Sequence, residues 1–291
     1  MLSIIICSIS PERLQALKTN IQQTIHTEYE IIAVDNREKK WPIAKAYNYA
    51  AGQAKYPYLF FVHEDVMFHS CDWGEYIERK LCESDCGVIG FVGGKVMLNC
   101  YSGWNQHYEW VCCHLYQRQG DLSRFDVCNV YLQSPFAEVV TVDGLGMFVR
   151  KDVWEKFPFD EALLTGFHGY DIDFSLQIVK SGNYKNYICC SNQVLIEHFS
   201  AGTFDSRWID NTVCLYKNKW SKILPMAVDG WLPTPEAQEK REESLSYEFL
   251  KKALKFDSSY KAVVLKDFWR RPYSWKHFCH CIKMTLKYWV S

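Results

Sequence analysis

The sequence predicts an α/β fold with a mostly parallel sheet, and three observations carry that reading. Apolar runs alternate with amphipathic helical patterns through the first third of the 291-residue chain. The runs "SIIICS", "YEIIAVD" and "YLFFV" are apolar throughout instead of alternating, as expected of strands covered on both faces. Each run ends in a polar group: Ser8, then Asp35-Asn36-Arg37, then His63-Glu64-Asp65. In a parallel sheet with right-handed crossovers these groups share the C-terminal edge, where such sheets bind ligands.

The elements follow in order. After the first strand, Ser10 is placed to cap a helix with Pro11 in its first turn and Leu14, Leu17 and Ile21 on one face. "IAKAYNYAAGQA" and "WGEYIERKLCES" read as the next helices, and "CGVIGFVGG" as a further strand. Residues 95–136 lose periodicity and read as a long insertion of loops. "EVVTVDGLGMFVRKDVWEKF" gives a strand, a glycine-bearing bend and a short helix. "GYDIDFSLQIVKSG" fits two templates: Tyr170, Ile172, Phe174, Leu176 and Ile178 alternate as in a strand, whereas Ile172, Leu176 and Val179 form a helical stripe ending at Gly182. "VLIEHFSAG" is a strand ending in His198. The expected division is a domain over 1–222, a proline-marked linker over 223–239 and a helical extension over 240–291.

Composition is globular, with 48% hydrophobic and 23% charged residues and a net charge of −1, so nothing global points to nucleic acid. The N-terminus lacks a basic leader region and no apolar run approaches the roughly 18 residues a membrane span needs. The thirteen cysteines include no C-x-x-C pair, and read as buried thiols of a reducing, cytoplasmic setting. "HFCHC" (residues 277–281) crowds its ligand types into one helical turn without a second pair at zinc spacing, and reads as a helix face with incidental thiols.

The triplet His63-Glu64-Asp65 raises the functional question, because charge buried at a strand end needs a partner. A solvated turn is one answer and a cation-facing site is the other. Five ordered segments bear on it: "SIIICSIS", "YEIIAVDN", "AKAYNYAAGQAKYPYLFFVHEDV", "VDGLGMFVRKDVW" and "GYDIDFSLQIVKSGNY…IEHFSAGT". Together, over about residues 3–220, they resemble the GT-A glycosyltransferases, the family 2-like group. The resemblance implies a GT-A fold: a Rossmann-like, mostly parallel nucleotide-binding sheet flanked by helices, here with a helical C-terminal appendage. It also implies a helix, not a strand, at "GYDIDFSLQ".

In that family an Asp-x-Asp triplet holds the divalent ion that bridges a nucleotide diphosphate. The resemblance therefore carries metal roles to Asp65, to His198 and, in place of the first aspartate, to His63, with Mn²⁺ or Mg²⁺ as the ion. It makes Asp171 the catalytic base, although Tyr170 replaces the family's preceding glutamate; Asp173 is given a structural role. Donor contacts fall to Ser8, Asp35, Lys45, Glu64, Asp143 and Gly144. The implied activity is a metal-dependent hexosyl or related transfer, with inversion, from a nucleotide-sugar, a UDP-sugar first, to a saccharide or lipid-linked acceptor. The two altered motif positions support an alternative: an inert nucleotide-sugar-binding or scaffold member of the same fold.

Residues 255–291 hold eight Lys or Arg against Asp257 and Asp267, together with nine Phe, Tyr or Trp. Two outcomes follow from that composition. The aromatics pack back on the domain, or the tail meets the inner face of a membrane through cations and interfacial rings.

Overall fold

The computed structural model describes residues 1–119, 121–128, 134–200, 204–270 and 274–290. The chain begins β1 (Leu2–Ser8), α1 (Pro11–Thr24), β2 (Tyr29–Asp35), α2 (Asn36–Lys39), α3 (Ile43–Ala51), β3 (Tyr58–Val62), β4 (Val66–Phe68), α4 (Trp73–Leu81) and β5 (Cys86–Gly90). It continues β6 (Val92–Gly94), β7 (Val96–Met97), β8 (Val111–Gln119), β9 (Leu122–Cys128), β10 (Phe136–Val139), β11 (Thr141–Val142), β12 (Gly146–Arg150), α5 (Lys151–Lys156) and α6 (Tyr170–Lys180). The remainder is β13 (Lys185–Cys189), β14 (Ile196–His198), α7 (Ser206–Leu215), β15 (Met226–Ala227), α8 (Pro235–Lys255), α9 (Lys261–Trp269) and α10 (Trp275–Val290).

The main sheet has the order β10-β13-β5-β12-β3-β1-β2. Its β2-β1-β3 portion is parallel, so Ser8 and Asp35 leave the sheet side by side, one strand from the His63 triplet. β12 runs antiparallel between β3 and β5. Strand pleating sorts the apolar runs to two faces. Ile5, Leu59 and Phe61 pack with α3 and α6, while Leu2, Ile4, Ile6, Phe60 and Val62 pack with α1 and α4. Both faces are closed, which is why these strands carry no alternation.

Residues 95–136 correct the sequence reading. Instead of loops, their described part contains β7, a 3₁₀ turn at Tyr108–Trp110 and the hairpin β8–β9. β8 joins a second sheet, β11-β6-β8-β14-β4, with β9 on its flank. Polar residues on both faces of the hairpin, among them Gln117, Arg118, Ser123 and Arg124, hide the strand period, and β9 lies largely exposed.

At 170–180 the helix wins over the alternation, as the family resemblance implies. Phe174, Leu176 and Ile178 are all buried in it, since α6 is enclosed on more than one side. Asp173, on the same helix, is fully buried and paired with Lys219 Nζ at 2.9 Å and Trp220 Nε1 at 2.9 Å. That network ties α6 to the chain after α7, the structural role expected of it.

Residues 223–239 are anchored: β15 pairs with β7, and α8 already begins at Pro235, capped by Thr234. The C-terminal helices share a core with α7, in which Trp208, Ile209 and Val213 meet Phe249, Leu250, Phe268, Cys281 and Met284. Of the tail residues singled out by composition, Arg271, Tyr273 and Ser291 lie outside the described residues, as do residues 201–203. Among the described residues no helix is long and apolar enough to cross a membrane.

Phe60 and Phe148 stack at 3.8 Å, and Trp73 and Phe68 close the same cluster. Phe148→Ala should lower unfolding free energy by roughly 3–5 kcal/mol, read from urea denaturation. A loss below about 1 kcal/mol would contradict the packing described.

Candidate active site

The triplet after β3 is held from three directions. The buried Glu64 carboxylate accepts from Ser8 Oγ at 2.6 Å, Ile9 N at 3.2 Å and Ser10 N at 3.0 Å. His63 N donates to Leu145 O, and Asp65 O accepts from Phe199 N. Because β4 follows the triplet directly and β14 pairs with it, His198 lies opposite Val66, beside Asp65. The result is a cluster of His63, Asp65 and His198 whose ligand atoms all lie within 4.8 Å of one another. Among the described residues it is the one His/Cys/Asp/Glu group tight enough for a cation.

The hydrogen bonds set both histidine tautomers. The Gln117 amide nitrogen donates to the carbonyls of Ser200 and His198, which turns its oxygen toward His198 Nδ1 at 3.1 Å. Nδ1 therefore holds the proton and Nε2 offers a lone pair 3.8 Å from Asp65 Oδ1. The Tyr170 hydroxyl donates to Gly144 O at 3.1 Å, so at 2.7 Å it accepts from His63 Nε2, leaving Nδ1 as the lone-pair donor. Burial holds the His63 pKa below its ordinary value, which favours the neutral ligand form. Burial works against ionised Asp65, but a Ser200 hydrogen bond and the imidazoles of His198 and His63 hold its pKa below the usual carboxylate value. Two imidazoles and one carboxylate, oriented by outer partners, offer a divalent cation such as Mn²⁺ two nitrogen donors and one oxygen donor, with positions left for phosphate and water.

Asp171 is the second residue of α6, which starts after Gly169, whose φ of 87° needs glycine. Its Oδ2 accepts from Gly144 N at 3.2 Å. Burial and the nearby Asp143 charge push its pKa up to about 7. Asp143 itself is fixed by Trp104 Nε1 at 2.8 Å and Leu145 N at 2.9 Å. A Cβ on Gly144 would meet the Tyr170 hydroxyl at 2.0 Å, so glycine is required by that ring's approach.

His63, Glu64, Asp65, Asp143, Gly144, Asp171 and His198 all line one cavity of about 1390 Å³. Three expected donor contacts do not line it. The Ser8 hydroxyl is spent on Glu64, Asp35 pairs with Arg37 at 2.5 Å, and exposed Lys45 lies 4.8 Å over the Trp41 ring. Their neighbours Ile9, Asn36, Arg37 and Trp41 supply that wall instead. The Asp35–Arg37 pair holds the Asp35 pKa down at about 2. Sequence reasoning missed Gln117, inside the stretch read as loops, and the bridging hydroxyl of Tyr170. It also missed Leu245, Phe249 and Lys252, which bring α8 to the cavity wall. Twelve of the thirteen cysteines are free thiols, and the Cys128 side chain lies outside the described ones.

A family model, the glycosyltransferase-like family, matches residues 3–214. No curated protein matches the chain in sequence. Among solved structures, GalNAc-T7 with UDP, GalNAc and Mn²⁺ is 11% identical and superposes with a TM-score of 0.52 over 87% of this chain and 56% of that one. The Pyrobaculum calidifontis mannosyltransferase PcManGT, with GDP-Man and Mn²⁺, is 11% identical over 99% of this chain and 86% of that one, at a TM-score of 0.46. S. aureus TarS with UDP is 13% identical over 89% and 72%, at 0.47. The fold is GT-A.

The raised pKa of Asp171 has a stability consequence. Its unfolded value is near 4, so between about pH 4 and 7 the folded state binds more protons and stability falls as pH rises. Asp171→Asn keeps an acceptor for Gly144 N without the charge. The variant should match the parent near pH 4 and exceed it at pH 8 by on the order of 3 kcal/mol, measured by denaturation at both pH values. A variant less stable at pH 8 would show that the carboxylate is not destabilised there.

Proposed function

Since the chain belongs to the glycosyltransferase-like family, we propose that it transfers a sugar, with inversion, from a nucleotide-sugar to an acceptor hydroxyl. The observation that carries this reading is the meeting of the His63, Asp65 and His198 cluster with Asp171 in one cavity. A cation held by those three residues would neutralise the diphosphate as it leaves.

The other steps belong to this chain's own groups. Asp171 takes the proton of the acceptor hydroxyl as its oxygen attacks the anomeric carbon. The bond from that carbon to the diphosphate oxygen breaks as the new glycosidic bond forms, and its electron pair leaves with the diphosphate. A base with a pKa of about 7 is matched to this task. With one attacking oxygen and no intervening carboxylate nucleophile, the anomeric configuration inverts. Burial, and after it the charge of Asp143, sets the level of Asp171, and Tyr170 holds His63 against the Gly144 turn.

The donor we propose is a UDP-sugar, carrying a hexosyl or related group, and the acceptor a saccharide or lipid-linked saccharide in the cytoplasm. Arg37, held by Asp35, and Trp41 line the cavity wall on the side where the nucleotide would lie. The inert alternative rests on the two altered motif positions, His63 and Tyr170, which are bonded to each other.

Titration calorimetry with UDP and GDP, with and without Mn²⁺, should give binding strengthened by the ion; no binding of either nucleotide would overturn the proposal. UDP release from a panel of UDP-sugars should fall at least a hundredfold in Asp171→Asn while nucleotide binding persists. Equal release by both proteins would remove Asp171 as the base, and none from either would favour the inert reading. The parent rate should rise with pH through about 7, because the base acts unprotonated.

A further inference from the structure

The helix α10 has two unlike faces: one packs back on the domain and the other is left exposed. One face carries His277, Cys281 and Met284, buried against α8 and α9. Tyr247 of α8 stacks on His280 at 4.0 Å and fastens the helix further. On the other face Trp275, Phe278, Ile282, Leu286 and Trp289 are exposed, Trp275 and Trp289 by 77% and 78%. At 3.6 residues per turn, positions 275, 278, 282, 286 and 289 fall within an arc of about 80°. Trp269 of α9 widens the patch: its indole donates to Thr285 Oγ1 at 2.9 Å and its ring meets Phe278 edge-on at 5.9 Å.

The charges beside that stripe have one sign. Lys276, Lys283 and Lys287 are exposed and project as a row along one flank of it. Exposed Lys266 adds to them from α9, and α10 contains no acidic residue. With 16 residues and this lysine row, α10 is too short and too charged to span a bilayer. The pattern instead suits a helix lying in the boundary layer, rings at both ends and cations at headgroup level.

We propose that the outer face of α10 is a docking surface for an anionic lipid bilayer. The occupant follows from charge complementarity. A second copy laid against the same stripe would bring two lysine rows together with no acid on either helix to answer them. An anionic surface satisfies the rings and the lysines at once. The same appendage lends α8 to the cavity wall, so attachment would hold the cavity beside the membrane surface. The surface is independent of what the cavity transfers.

The test uses the full chain in vesicle flotation. Vesicles of phosphatidylcholine with phosphatidylglycerol are compared with phosphatidylcholine alone, at low and high salt. The parent should float with the anionic vesicles, with weaker binding at high salt and a blue shift in tryptophan emission. Two combined variants, Trp275→Ser/Ile282→Ser/Leu286→Ser/Trp289→Ser and Lys276→Glu/Lys283→Glu/Lys287→Glu, should each bind at least tenfold more weakly. All their positions are exposed, so melting temperature and nucleotide-diphosphate binding should stay at the parent's values. Those two readings separate a failure here from misfolding and from a failure of the donor proposal. Three results would overturn the docking surface: no flotation of the parent, equal flotation by parent and variants, or a parent dimer that the serine variant dissolves.

Discussion

A buried carboxylate in the middle of a three-residue turn is the constraint on which the site depends. Glu64 accepts from Ser8 Oγ and from the Ile9 and Ser10 backbone as the chain leaves β1 for α1. An unpaired carboxylate there would cost several kcal/mol, so the clasp fixes how the chain leaves β3. With Glu64 turned toward the β1–α1 connection, its two neighbours are committed to the cavity. Tertiary partners then hold their backbone, His63 against Leu145 and Asp65 against Phe199. The strand can end in three polar side chains because each has a distinct partner.

The second sheet completes what the first begins. β14 lies antiparallel to β4 and parallel to β8, so one register delivers both His198 and its outer partner Gln117 to Asp65. Moving β14 by one residue would turn His198 to the opposite face of the sheet. Across the cavity the carboxylates are driven apart in character. Imidazoles and a hydroxyl keep Asp65 ionised, whereas burial beside Asp143 raises Asp171 to about 7. Separation of that kind is what the proposed division of roles requires, one carboxylate for a cation and the other for a proton.

The parallel portion of the fold was legible because its signals were local. Apolar runs marked β1, β2 and β3, and Ser10 with Pro11 marked the start of α1. The site was legible as residue types at strand ends, and the family resemblance added Asp171 and His198. Chemistry that depends on the partner of a side chain was hidden. Ser8 and Glu64 read as donor contacts, yet they bond to each other. Tyr170 read as a departure from the family motif, yet its hydroxyl joins His63 to Gly144. Gln117 lay in a hairpin with polar residues on both faces, which erased the period of β8. On α10, composition could not say which rings turn inward, because that choice is made by α8 and α9.

His63, Asp65 and His198 are proposed to form a cation site that faces a nucleotide diphosphate. Crystals grown with UDP and Mn²⁺, measured at the manganese absorption edge, test it most directly. One anomalous peak is expected among His63, Asp65 and His198, in contact with diphosphate oxygens. Diphosphate density in the cavity with no peak at these residues, or with the ion held elsewhere, would contradict it.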